Sequence, residues 1–331
     1  MKIGINGLGR IGRQVLRICT DDPAAPDVVH VNDLAGPKTL AHLVKYDSTY
    51  GVWEREVAAT NGAIIIDNRE IRVTSEKDPS RLPWREAGVE VVLESTGVFR
   101  KREDARQHLD AGAARVLISA PGKSPLDGDF VIGVNDGEYD SGKHEIISIG
   151  SCTTNCLAPM AKALHDEFTI LRGLMTTVHA YTASQNLLDG PHKDLRRARS
   201  AAENIIPTST GAAQAIGKVI PELDGKLDGM ALRVPLPCGS IVDLTCVVER
   251  ETTVEAVNDA MRRHAEGPMN GVLEIAPASI VAKDVIGNTH SCVFSAQDTF
   301  VQDGTLVKVL AWYDNEWGFS RRTVDMIARM K

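Results

Sequence analysis

Short apolar runs alternate with glycine turns and amphipathic stretches through the first half of the chain. Lys2-Ile-Gly-Ile-Asn6 reads as a buried strand and Gly7 to Gly12 as a turn; Ile11, Val15, Leu16 and Cys19 then recur at helical spacing. Pro23 predicts the end of that helix, and Val28-Val-His-Val31 a second buried strand, making a βαβ unit. Further strand-like runs are Val89 to Leu93, Val116 to Ile118, Phe130 to Val134 and Ile146 to Ile149, with a polar helical stretch from Arg100 to Ala111. Strands alternating with helices predict a mostly parallel sheet covered on both faces. Asp67-Asn68-Arg69, between the apolar runs of Ile64 to Thr74, predicts an inserted hairpin.

Past residue 150 the period changes. Val242, Leu244, Cys246 and Val248 alternate with Asp243 and Thr245, as in an antiparallel sheet with one buried face. Met175 to Val178, Met230 to Val234 and Leu306 to Trp312 are further strand candidates. Thr182 to Ser200 has no steady apolar period and carries a basic run from Lys193 to Arg199; it reads as a long functional loop. A helix from Ser320 to Met330 closes the chain. The expected fold is α/β: a Rossmann-type doubly wound parallel sheet over residues 1–150, then an α+β domain with a mainly antiparallel sheet over 151–315.

Composition narrows the function classes. With 331 residues, 43% hydrophobic and 24% charged, the chain is an ordinary globular protein of two domains. The net charge of −7 argues against a dedicated nucleic-acid or anionic-membrane binder. No apolar run approaches the ~20 residues of a membrane span. The six cysteines form no C-x-x-C pair or zinc-spaced cluster, so no metal site is expected and a reduced, cytoplasmic location is.

Two segments carry chemistry. Gly7-Leu-Gly9-Arg-Ile-Gly12 matches G-x-G-x-x-G between a strand and a helix, where glycines let the backbone approach a pyrophosphate. Asp33 comes about 20 residues later, at the end of the second strand, where a carboxylate binds a ribose and repels a 2′-phosphate. That order predicts an NAD site. Ser151-Cys-Thr-Thr-Asn-Cys156 precedes a helix whose apolar face is Leu157, Met160, Leu164 and Phe168. Cys152 then sits at a helix N-terminus, where dipole and free N–H groups lower a thiol pKa. Residue type alone leaves Cys152 either a nucleophile or a buried structural cysteine. His179, at the end of a strand, is either a general base or a core histidine. Arg196, Arg197, Arg199 and Arg233 are candidate anion binders.

Seven segments in order resemble the phosphorylating glyceraldehyde-3-phosphate dehydrogenases over nearly the whole chain. They are Gly4 to Arg13, Ser151 to Cys156, Thr176 to Thr182, Asp194 to Arg199, Asn204 to Gly211, Leu232 to Pro235 and Trp312 to Gly318. The resemblance implies Cys152 as nucleophile and His179 as its base, passing through a hemithioacetal and a thioester that inorganic phosphate cleaves. It implies that Thr182, Arg197 and Arg233 bind the phosphate of glyceraldehyde 3-phosphate, and that Ser151, Thr153, Thr210 and Gly211 hold the attacking phosphate. It also implies NAD contacts at Arg10, Ile11, Asp33, Lys77, Ser119 and Asn315, the last on the nicotinamide carboxamide. Finally it implies a C-terminal helix, 316–331, returning to the first domain, and a homotetramer.

Leu8, Lys77, Ser184 and Gln214 depart from residues common in that family, while Leu34 and Pro191 resemble its NAD-using members. The nearest alternative is erythrose-4-phosphate dehydrogenase, which hydrolyses the thioester. A non-catalytic NAD-binding protein is the alternative from another class.

Overall fold

The structure, a computed structural model, describes Met1–Lys331. The chain forms two compact units: Met1–Phe130 with Asp136–Ser151 and Ser320–Lys331, and Val131–Asn135 with Cys152–Phe319.

The first unit is built on a nine-stranded sheet. From one edge its strands are Gly128–Asp129, Ile146–Ser148, Arg115–Ile118, Val91–Glu94, Lys2–Asn6, Asp27–Asn32, Arg69–Thr74, Ala63–Ile66 and Val57–Ala59. Pairing is parallel as far as Arg69–Thr74, and the last two strands are antiparallel. Strand order reverses on either side of Lys2–Asn6, which places a crevice at the carboxyl ends of the central strands. The Arg10–Asp21 helix buries Val15, Leu16, Ile18 and Cys19, so its expected apolar face is the one it packs. Asp67 and Asn68, with φ of 46° and 68°, make the two-residue turn of the inserted hairpin.

The run from Phe130 to Val134 is not a strand, which corrects the sequence expectation. The edge strand is only Gly128–Asp129, and the chain turns at Gly133 with φ of 81°. The Asn135 side chain accepts from Val131 N at 2.8 Å, holding that turn. Phe130, Val131 and Ile132 are apolar because they are buried, not because they pair in a sheet.

The second unit holds an eight-stranded sheet around Ile170–Ala180, Ser240–Val248 and Leu306–Tyr313. It is mixed: Ile170–Ala180 runs parallel to Leu227–Val234 and antiparallel to Ser240–Val248. Val242, Leu244, Cys246 and Val248 face the core as their alternation predicts. The helices Cys152–Phe168 and Val254–Glu266 pack together in this unit, and the first also contacts the central strands. Cys152–Phe168 is buried on nearly every face from Thr153 to Ala161, so its apolar stripe understates its burial. The segment from Thr182 to Ser200 is irregular but internally bonded. Asn186 Nδ2 donates to Gly190 O at 2.7 Å, and Arg199 pairs with Asp189 at 3.1 Å.

Candidate active site

In the first unit the glycine turn opens the crevice. Gly7 has φ of 94°, and a Cβ there would stand 2.7 Å from Thr96 N; one at Gly12 would stand 2.3 Å from Gly7 O. Over Gly9 nothing lies within 4 Å, so a phosphate can reach the backbone there. No side chain caps the Arg10–Asp21 helix at Gly9, which leaves its N-terminus to an anion. Arg10 points away, in an ion pair with Asp47 at 2.5 Å; it and Ile11 offer backbone rather than side chain to this site.

A cavity of about 410 Å³ extends from the turn and is lined by Gly7, Gly9, Asp33 and Lys77 among others. One oxygen of Asp33 accepts from Leu8 N at 2.7 Å and the other from Ala35 N at 2.9 Å, fixing the carboxylate toward the cavity. Ser119 comes just after the Arg115–Ile118 strand and bonds Glu94 O; it is not among the lining residues. The open backbone at Gly9, the fixed acid and the cavity fit an adenosine diphosphate moiety. Asn6, Asn32, Ser95, Thr96 and Phe99 also line the cavity and carry no signal in the sequence that singles them out.

In the second unit Cys152 opens its helix and His179 lies near the end of a sheet strand. Cys152 Sγ is 3.4 Å from His179 Nε2. His179 Nδ1 is 2.7 Å from Ala180 O, which only accepts, and also contacts Arg233 Nη1, which only donates; in the tautomer that donates from Nδ1 to Ala180 O, Nε2 is left to take a proton from the thiol. Arg233, level with His179 on the neighbouring parallel strand, also donates to Ala180 O at 3.0 Å. Its charge lies against the ring.

Burial, reinforced by Arg233, pushes the His179 pKa down to about 3. Burial also pushes the Cys152 thiol up, against the opposing pull of Arg233 and of hydrogen bonds from Thr153. This corrects the expectation of a thiol lowered by the helix N-terminus. With the thiol pushed up and the imidazole pushed down, the pair rests as thiol and neutral imidazole.

Tyr313 is the neighbour that sequence reasoning passes over. Its hydroxyl lies 2.8 Å from Thr153 Oγ1 and 2.9 Å from Thr177 Oγ1, and its ring meets His179 edge-on at 5.9 Å. Its signals are its position at the end of a strand just before Asp314-Asn315 and its place in the segment from Trp312 to Gly318.

Thr182, Ser184 and Arg197 come together at the base of the long loop. Thr182 Oγ1 is 2.8 Å from Ser184 Oγ, and Arg197 donates to Thr208 Oγ1 at 2.9 Å and to Ser184 Oγ at 3.4 Å. Ser184, in sequence only a departure from the family's usual residue, thus bridges two expected anion binders.

Two family models match this chain. "Glyceraldehyde 3-phosphate dehydrogenase, NAD binding domain" covers residues 1–102, and "Glyceraldehyde 3-phosphate dehydrogenase, C-terminal domain" covers 151–315. A glyceraldehyde-3-phosphate dehydrogenase of Geobacillus stearothermophilus is 54% identical over 328 residues, 99% of this chain and 97% of the relative. That of Streptomyces coelicolor is 52% identical over 98% of this chain and 97% of its own, and glyceraldehyde-3-phosphate dehydrogenase 1 of Bacillus subtilis 52% over 99% and 97%.

The chain belongs to the glyceraldehyde-3-phosphate dehydrogenase family.

As a member of this family it is an NAD-dependent oxidoreductase, and the crevice of its first unit belongs to the family's NAD-binding domain. The family's name does not favour the erythrose 4-phosphate alternative. Asn315 accepts on Oδ1 from Gly239 N at 3.1 Å and Ser240 Oγ at 3.0 Å, which leaves its amide N–H groups as the donors it can present. Ser151 immediately precedes the catalytic-segment helix. Thr210 and Gly211 lie just past the Ile206–Ser209 strand, where Ile206 rather than Ser209 is level with Arg233. Thr210 Oγ1 accepts from Ala212 N at 3.2 Å, and a Cβ on Gly211 would meet open space.

Proposed function

We propose that this protein converts D-glyceraldehyde 3-phosphate and inorganic phosphate to 1,3-bisphosphoglycerate, a step of glycolysis and, in reverse, of gluconeogenesis. The observation that carries the reading is the 3.4 Å contact between Cys152 Sγ and His179 Nε2. Bound NAD supplies the two-electron acceptor. Cys152 Sγ adds to the aldehyde carbon while His179 Nε2 takes the thiol proton and returns it to the former aldehyde oxygen, giving a hemithioacetal and a neutral imidazole. His179 serves again as base for the hydroxyl proton when the adduct is oxidised to a thioester. An oxygen of inorganic phosphate then attacks the thioester carbonyl, and the acyl phosphate leaves as the Cys152 thiolate is released and reprotonated.

The anion-binding groups have distinct tasks in this scheme. Thr182, Arg197 and Arg233 take the phosphate of the aldehyde, while Ser151, Thr153, Thr210 and Gly211 take the attacking one. A dianion beside Arg233 offsets the charge that adds to burial in holding His179 neutral, so substrate binding itself favours the imidazolium that the first step requires. On the cofactor side, Gly7, Gly9, Arg10, Ile11 and Gly12 serve the pyrophosphate. Asp33 takes the adenosine ribose, Lys77 and Ser119 flank the nucleotide, and Asn315 donates to the nicotinamide carboxamide. Residues 1–150, the domain to which the C-terminal helix 316–331 returns, hold most of the dinucleotide, and 151–315 carry the chemistry and Asn315.

The deciding experiment measures NADH formation from glyceraldehyde 3-phosphate and NAD with and without inorganic phosphate, with Cys152→Ser as control. Strict phosphate dependence and loss in the variant are expected. Equal rates without phosphate would mean that water resolves the thioester, as in erythrose-4-phosphate dehydrogenase. Tight NAD binding with no turnover would mean a non-catalytic binder.

We also propose a homotetramer. Leu174, Met230 and Leu306, on strands of the second unit's sheet, are 69%, 40% and 38% exposed in the single chain, apolar area that self-association would cover. Light scattering should give four times the mass of one chain. A cytoplasmic location agrees with six unpaired cysteines, and no helix is long and apolar enough to cross a membrane.

A further inference from the structure

Beneath the dinucleotide cavity runs a chain of buried polar groups that the proposed mechanism does not use. Trp84 Nε1 lies 3.1 Å from His108 Nδ1, and an indole N–H only donates. His108 must therefore carry its proton on Nε2, and it donates to Glu94 Oε2 at 3.1 Å. Asn6 Nδ2 donates to the same oxygen at 2.6 Å. Glu94 Oε1 accepts from Thr96 N at 2.8 Å and from the Thr96 hydroxyl. Glu94 and His108 are 1% and 0% exposed.

Four donors converge on one buried carboxylate, so Glu94 can only accept; its demand sets the Asn6 amide and agrees with the direction that Glu76 N and O impose on Asn32. Asn6, committed to donate with Nδ2, presents Oδ1 to Asn32 Nδ2 at 2.8 Å. Asn32 in turn presents Oδ1 to Glu76 N at 2.9 Å. The chain thus joins two amides and a carboxylate at the carboxyl ends of three adjacent strands and reaches the segments that bear Asp33, Lys77 and Thr96. Ser95, next to Glu94, donates to Gly7 O at 2.6 Å and ties the glycine turn to the same unit.

We propose that Glu94, with His108 and Trp84 behind it, is the positioning unit of the NAD site: an acceptor-only carboxylate that aligns Asn6, Asn32, Thr96 and the Gly7 turn for the dinucleotide. This rests on the dinucleotide reading of the cavity. None of the three needs to touch NAD. A donor placed at Glu94 would face donors on every side, and the amide order across the strands would be lost.

The test is NAD titration by calorimetry, with kcat at saturating NAD and Tm measured alongside. Glu94→Gln is expected to weaken NAD binding by about tenfold, the equivalent of one lost buried hydrogen bond, with kcat at saturation changed less than about twofold. His108→Gln can accept from Trp84 and donate to Glu94, and should bind NAD nearly as the parent does. His108→Leu cannot, and should bind it several-fold more weakly. Thr96 is exposed, so Thr96→Val keeps the fold; it should weaken NAD by a smaller factor and remains decisive if Glu94→Gln does not fold. Unchanged NAD affinity in Thr96→Val and Glu94→Gln, or equal losses in the two His108 variants, would overturn the proposal. A parent protein that binds no NAD would instead overturn the dinucleotide reading.

Discussion

At the scale of single residues, the chemistry turns on how burial is set against charge around Cys152. The thiol is pushed up and His179 down, so neither ionises readily alone and the proton must pass between them. His179→Ala should lower kcat by about 10²–10⁴-fold. In that variant the thiolate forms only by loss of a proton to solvent, so the residual rate should climb by about tenfold per pH unit below the thiol pKa. A flat profile from pH 6 to 9 would show that His179 is not the acceptor. Arg197 is held by Thr208 and Ser184 rather than by a bonded carboxylate, its Asp194 partner lying at 3.5 Å. Arg197→Ala should raise KM for glyceraldehyde 3-phosphate by about tenfold or more, the value of a charge-assisted bond, with a smaller effect on kcat. Steady-state kinetics would show whether that split occurs.

At the scale of elements, the glycine turn separates two demands that the motif alone merges. Gly12 is required by packing: a methyl group would stand 2.3 Å from Gly7 O and force the turn apart. Gly9 has open space over it and a φ of −71° that any residue can adopt, so its lack of a side chain serves the ligand. Gly12→Ala should therefore lower Tm, by about 1–3 kcal/mol of stability. Gly9→Ala should leave Tm nearly unchanged while weakening NAD, and equal thermal shifts in the two variants would refute the distinction. The hairpin at Asp67-Asn68 is legible for the same kind of reason, since a two-residue turn with two positive φ angles selects those residue types. The Phe130–Val134 run misleads because burial makes a turn as apolar as a strand, and no local signal separates the two.

At the scale of the whole molecule, buried neutral histidines tie stability to pH. Desolvation, with Arg72 adding repulsion, lowers the His30 pKa to about 4, as burial and Arg233 lower that of His179 to about 3. An unfolded histidine titrates near 6.5, so between those values the unfolded chain binds protons that the folded one refuses. Stability therefore rises with pH through that window and is lost as pH falls below about 6.5. Calorimetry at pH 7.5 and pH 5.0 should show a lower Tm at the acid value. His30→Gln should lower Tm at pH 7.5, because the ring packs edge-on to Trp84 at 5.4 Å, yet narrow the gap between the two pH values. An unchanged gap would mean that His30 does not contribute to it.

Sequence by itself determined whatever depends on neighbours along the chain. The period of apolar positions specified the strand–turn–helix start and the alternating face of Ser240–Val248, and glycine spacing specified the phosphate turn. Seven segments in order specified the family. Tertiary structure decided whatever depends on meetings between distant residues. Cys152 and His179 are 27 positions apart, and Thr153 and Tyr313 are 160 apart. Nothing in either local sequence shows that helix and strand bring them within hydrogen-bond reach. The same holds for Asn6, Glu94 and His108, ordinary polar residues in sequence, which parallel strand pairing and helix packing gather into one buried chain. The direction of the Cys152 and His179 pKa shifts was also decided there. Desolvation depends on everything packed around a group, while the helix dipole that sequence suggests is only one contribution.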